Sequence, residues 1–167
     1  SLKSNLLAKQ QKKRIFMSRQ PINLLITNKI DEMLVELTQV CNLRCIYCGV
    51  SDPEDRPIAM NDQVKSRTFD FIHHYTPASI TLNGRGETTF MPNWMKEINA
   101  LFDQTKGHYA LITNLAKNFT DEECDVLSRF QWLTVSLDTT HPDILKALRR
   151  KVDIRTFTSN LVRIRAA

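Results

Sequence analysis

Three cysteines, Cys41, Cys45 and Cys48, fall within the eight-residue segment Cys41-Asn42-Leu43-Arg44-Cys45-Ile46-Tyr47-Cys48. Thiolates are soft ligands, and three at a C-x3-C-x2-C spacing can hold three corners of an iron–sulfur cubane. The fourth iron is then left open, and an open metal position is a binding site, as it is in catalytic zinc centres. A structural zinc knuckle is the other reading of this spacing. It needs a fourth ligand, for which Cys124, His73 and His74 are the candidates. Crowding of this kind suits a metal better than a disulfide framework, and it points to a reducing, cytoplasmic compartment.

A second segment of interest is Gly84-Arg85-Gly86-Glu87. Glycines let backbone approach a ligand closely, and a carboxylate beside them can receive an ammonium group. The chain has only four glycines, where average usage of ~7% gives roughly twelve. Two of the four lie here. A turn with a glutamate is also a common structural feature, so the segment gains weight only from its placement. Further polar groups follow at Asn114, Ser136 and Asp138, and a pair of arginines stands at Arg149 and Arg150. Each of these alone reads equally as a turn, a cap or a solvated helix end.

The elements that must position these residues alternate along the chain. Met33–Thr38, Ser79–Asn83, His108–Thr113 and Trp132–Leu137 read as short strands. Helices are expected between and after them. The first is capped at Asn61 or Asp62 and carries Val64, Phe71, Ile72 and Tyr75 as its apolar stripe. The second opens at Pro92 and Asn93, with Met95, Ile98, Leu101 and Phe102 inside. In the third, Thr120 and Glu123 form a capping box, and Cys124 packs against Phe119 as a hydrophobic staple. A helix from Pro142 to about Arg150 follows, then another through Ile154, Phe157, Leu161 and Ile164. Strands separated by single helices imply an α/β fold with a parallel sheet. The cysteine segment, Glu87, Asn114 and Asp138 then each follow a different strand at its C-terminal end, where parallel sheets and barrels bind ligands.

Length and composition agree with one globular domain: 167 residues, 42% apolar and 25% charged. No apolar run approaches the ~18 residues a membrane helix needs, so no membrane partner is expected. The net charge of +5 is uneven. Residues 1–30 carry seven lysines and arginines and no acid, leaving a net −2 for the remainder. A basic N-terminal extension over residues 1–32, with a polar helix from Asn5 to Phe16, thus precedes a core at 33–167. The extension reads as a solvated arm, or as contact with an anionic partner such as RNA.

The cysteine segment resembles the cluster-binding loop of the radical S-adenosylmethionine superfamily. That loop commonly has Asn-Leu-Arg between its first two cysteines and an aromatic residue before the third, as Tyr47 is here. Gly84-Arg85-Gly86-Glu87 is similar to the family's Gly-Gly-Glu-Pro segment, with Arg85 in place of the first glycine and Thr88 in place of the proline. The resemblance implies a partial (βα) barrel of the TIM-barrel-like type, of which this chain holds about four βα units, incomplete at the C-terminus. It implies a 4Fe-4S cluster on Cys41, Cys45 and Cys48. It also implies S-adenosylmethionine bound by Tyr47, Gly84, Arg85, Gly86, Glu87, Asn114, Ser136, Asp138 and Arg150. The adenine would meet Tyr47, the methionine amino group the glycine–glutamate segment, the ribose Asn114, Ser136 and Asp138, and the carboxylate Arg150. The implied reaction is reductive cleavage of S-adenosylmethionine to a 5′-deoxyadenosyl radical that abstracts hydrogen from a substrate, with a separate electron donor as partner. A peptide is the preferred substrate. The alternatives are an iron–sulfur or zinc-binding module without turnover, and an RNA-modifying protein that uses the basic arm.

Overall fold

The computed structural model describes residues 29–167. The basic extension up to residue 28, with its expected polar helix, lies outside the described residues. Four strands, β1 (Glu32–Val35), β2 (Ser79–Leu82), β3 (His108–Thr113) and β4 (Trp132–Val135), form one sheet in the order β1-β2-β3-β4. Every pairing is parallel, with Val35 opposite Leu82, Leu82 opposite Leu111, and Leu111 opposite Leu133. Parallel neighbours need crossovers, and each crossover here contains a helix: α1 (Asp62–Tyr75), α2 (Trp94–Gln104) and α3 (Asp121–Ser128). Two more helices, α4 (Pro142–Arg149) and α5 (Ile154–Ala166), follow β4.

Alternation along the strands decides what each face does. Val35, Ile80, Leu82 and Leu111 point to the helix layer and are buried there with Ile72, Ile98, Leu101, Leu127, Phe157 and Ile164. Among the described residues, the hydrophobic core built with the helices lies on this one face of the sheet. On the opposite face Leu34 is 65% exposed and Trp132 53% exposed, at sites one residue out of phase with the core. The sheet is thus one wall of a partial barrel, with the helices outside and the opposite face inside.

The local signals for the elements act as their chemistry requires. Asn61 caps α1 by accepting from the backbone N–H of Val64. Thr120 and Glu123 form the reciprocal capping box on α3. Cys124 is buried in the same core cluster as Phe119, as the staple demands. The stripe of α1 differs from expectation. Phe69 and Ile72 are its buried residues, whereas Val64, Phe71 and Tyr75 are exposed and Phe71 stacks on Tyr75 at 4.4 Å. The cause is helical phase. Val64, Phe71 and Tyr75 lie within about 40° of one another around the axis, while Ile72 is turned about 100° from Phe71. Two apolar faces competed, and packing selected the one that carries Phe69 and Ile72.

Candidate cofactor-binding site

Because the four strands are parallel, everything that follows their C-terminal ends emerges at one edge of the sheet. There a cleft of about 230 Å³, open to solvent, is lined by residues from four separate loops. Cys41, Cys45, Tyr47 and Cys48 come from the loop after β1, and Gly84 to Glu87 from the loop after β2. Asn114 comes from the end of β3, Ser136 from the end of β4, and Arg149 from α4.

The cysteine loop is shaped largely by its own contacts. The Arg44 guanidinium donates to the carbonyls of Cys41 and Leu43, both at 3.0 Å. Ser51 Oγ donates to the Cys45 carbonyl at 2.6 Å, and the Leu43 backbone N–H points at the Cys41 sulfur at 3.4 Å. Leu43 and Cys45 then pack into a small apolar cluster with Leu145 and Val152. The Ile46 N–H completes the attachment by donating to the Leu148 carbonyl at 2.9 Å. All four cysteines are free thiols. Burial pushes the Cys41 and Cys45 thiols up, so a metal bound there would displace protons.

The loop after β2 wedges between the two arms of the cysteine loop. A Cβ on Gly86 would collide with the Thr38 carbonyl, and one on Gly84 with the Glu36 side chain. Gly86, opposed by backbone, is therefore required first by this protein's own packing, whereas Gly84 faces the flexible end of a side chain. Arg85 reaches the outgoing arm, where its guanidinium donates to both oxygens of Asp55 at 2.6 Å. Glu87 is 3% exposed and its carboxylate is held within the fold. Its Oε1 accepts from Thr89 N, Thr89 Oγ1 and Thr113 Oγ1 at 3.2, 2.7 and 2.8 Å, and its Oε2 from Asn114 N at 2.7 Å.

On the other side of the cleft, Asp138 sits behind the wall. Its Oδ2 accepts from Tyr47 Oη at 2.8 Å and from Arg149 Nε at 2.5 Å, and its Oδ1 accepts from Arg149 Nη2 at 3.2 Å. The Arg149 guanidinium holds the Asp138 carboxyl below the usual carboxylate range. Burial, and then its bond to Asp138, push the Tyr47 hydroxyl up to about 12, so it stays a donor at neutral pH.

The structure therefore gathers the three cysteines with Tyr47, Gly84, Arg85, Gly86, Glu87, Asn114 and Ser136. It places Arg149, rather than Arg150, on the cleft. Arg150 is exposed and caps α4 at φ 56°. Helical phase held the signal: Arg149 is one turn beyond buried Leu145 and shares its face. Asn42, Glu36 and Asp55, which hold Asn114 and the loop after β2, carried no signal in the sequence. For a zinc knuckle, Cys124 lies in the core, and His73 Nδ1 is bonded at 2.9 Å to the Gln104 carbonyl. Among the described residues, no three His, Cys, Asp or Glu side chains converge on a single-ion site. Three free thiols on one loop beside an open cleft are a donor set that suits an iron–sulfur cluster.

A profile of the Radical SAM superfamily matches residues 35–167. Among solved structures, the fold is similar to Streptococcus suis SuiB bound to its precursor peptide SuiA. The TM-score is 0.67 at 20% identity, over 84% of this chain and 31% of that one. It is also similar to anSMEcpe with bound AdoMet, at TM-score 0.62 and 17% identity, over 82% of this chain and 41% of that one. BtrN in complex with AdoMet and 2-DOIA aligns at TM-score 0.55 and 18% identity, over 64% of this chain and 45% of that one. The chain thus spans less than half the length of these structures. No curated protein matches its sequence.

Proposed function

The chain belongs to the radical S-adenosylmethionine superfamily, and from that premise we propose that residues 33–167 hold the cluster- and cofactor-binding part of an enzyme that abstracts hydrogen from its substrate. The superfamily's cofactors are a 4Fe-4S cluster and S-adenosylmethionine. Together they supply a one-electron reductive cleavage whose 5′-deoxyadenosyl product radical takes a hydrogen atom from substrate. The observation that carries this reading is convergence: the cysteine loop, the glycine–glutamate loop, Ser136 and Arg149 line one cleft.

In this reading Cys41, Cys45 and Cys48 hold the cluster. The backbone of Gly84 to Gly86 faces the methionine end, and Glu87 fixes that backbone in place from behind. Arg149, oriented by Asp138, meets a carboxylate, for which a guanidinium provides matched donors. Tyr47 offers a ring face to the adenine, and Ser136 a hydroxyl to the ribose. A cytoplasmic setting and an external electron donor complete the proposal.

A peptide is the substrate class this reading favours, because SuiB was solved with its precursor peptide and shares the fold over most of this chain. Among the described residues no helix is long and apolar enough to cross a membrane.

Anaerobic reconstitution tests the reading. The protein should take up about four irons per chain and release 5′-deoxyadenosine when given S-adenosylmethionine and a reductant. Replacing Cys41, Cys45 and Cys48 together by alanine should abolish both. Retention of the cluster in that triple variant would overturn the assignment.

A further inference from the structure

We propose that Asn114 is a positioning residue that donates an amide hydrogen to the Cys41 sulfur and so raises the reduction potential of the cluster held there. The proposal rests on the cluster reading above. Asn114 is 7% exposed, and each of its polar groups other than the carbonyl has a partner. Its backbone N–H donates to Glu87 Oε2 at 2.7 Å, and its Oδ1 accepts from the Ala116 N–H at 2.9 Å. Its Nδ2 stands 2.9 Å from Asn42 Oδ1 and 3.7 Å from Cys41 Sγ. An amide nitrogen carries two hydrogens, one for each of these acceptors.

The amide orientation follows from the same partners. Turned over, its oxygen would face the Asn42 oxygen and the Cys41 sulfur, and its NH2 would face the Ala116 N–H. The next residue, Leu115, is fully buried at φ 47°, which fixes the turn that aims the amide. With both hydrogens engaged, the side chain has no donor left for a ribose hydroxyl. It serves the cysteine loop instead. Cys41 thereby receives two N–H groups, from Asn114 and from Leu43.

A donor to a ligating thiolate favours the more electron-rich state, so it raises the potential at which an external reductant adds one electron. No bond is made or broken in that step. The test is a reductive titration of the reconstituted full chain, followed by electron paramagnetic resonance and read from the loaded fraction alone. Asn114→Ala removes the donor without adding charge. Asn114→Ser keeps a short side-chain acceptor for the Ala116 N–H without adding charge, so it guards against a folding defect. Both should lower the reduced-to-oxidised ratio at a fixed poise by about tenfold, equivalent to about 59 mV for one electron. Affinity for S-adenosylmethionine should stay within twofold of wild type. An unchanged potential in both variants overturns the proposal, and so does an unchanged potential with tenfold weaker S-adenosylmethionine binding, which would make Asn114 a cofactor contact. Failure of the wild-type protein to take up about four irons would instead strike the cluster reading itself.

Discussion

Gly86 lies directly against the Thr38 carbonyl, so closely that a single added methyl group would overlap it. This contact joins the loop after β2 to the arm that leads into the cysteine loop, and the Glu87 N–H reinforces it by donating to the Val40 carbonyl at 2.9 Å. The atom opposed is backbone, which cannot rotate aside. Gly86→Ala should therefore cost about 1–3 kcal/mol in denaturant unfolding and weaken S-adenosylmethionine binding by displacing the loop. Gly49→Ala serves as the control, because a Cβ there meets nothing within 4 Å.

Glu87 offers a second test. Four donors from Thr89, Thr113 and Asn114 converge on its carboxylate. Glutamine would turn an NH2 towards donors and leave at least one of them buried without a partner. Glu87→Gln should lower unfolding stability by about 1–3 kcal/mol, measured by urea titration. A loss of cofactor binding with stability intact would show instead that the carboxylate acts on the ligand directly.

The adjacent arginines should separate cleanly. Arg149 lines the cleft and is bonded to Asp138, so Arg149→Ala should weaken S-adenosylmethionine binding by tenfold or more. Arg150 is exposed and held at φ 56° and ψ −128°, a backbone region suited to glycine. Such strain costs about 1–3 kcal/mol. Arg150→Gly should raise the melting temperature and leave binding unchanged. Equal binding losses in both variants would contradict the placement.

Cys124 should prove to be a packing residue. It is buried beside Phe119 in the core, away from the cleft. Cys124→Ala should cost about 1 kcal/mol in stability and leave the iron content of the reconstituted protein at its wild-type value.

Acid sensitivity has a specific source in Glu123. Burial pushes its carboxyl up, but Lys117 at 2.5 Å, the Thr120 N–H at 3.0 Å and the Trp94 indole at 3.0 Å outweigh this and hold it below its ordinary value. A carboxyl lowered by folding stabilises the protein above its unfolded pKa of about 4.3. That contribution is lost as the pH falls through the lower folded value. Asp138, held down by Arg149, acts with the same sign. Melting temperature should therefore fall below about pH 4.3, and Glu123→Gln should flatten that part of the profile while lowering stability at neutral pH.

The amino-acid sequence determined those features whose causes lie within a few residues. The spacing of Cys41, Cys45 and Cys48, the capping box of Thr120 and Glu123, and the bounds of β3 are all local, and they stand as read. Strands separated by helices also implied the parallel sheet, and with it the shared edge at which Cys41, Glu87 and Asn114 meet. Where a local period admitted two answers, as on α1, only packing chose. Tertiary structure alone decided the partners: Glu87 with Thr113, Asn114 with Cys41, Arg85 with Asp55, Asp138 with Tyr47. These pairs are 26, 73, 30 and 91 residues apart in the chain. A hydrogen bond leaves no period in the sequence when its partner arrives from another strand, so such contacts become visible only once the sheet has brought the loops together.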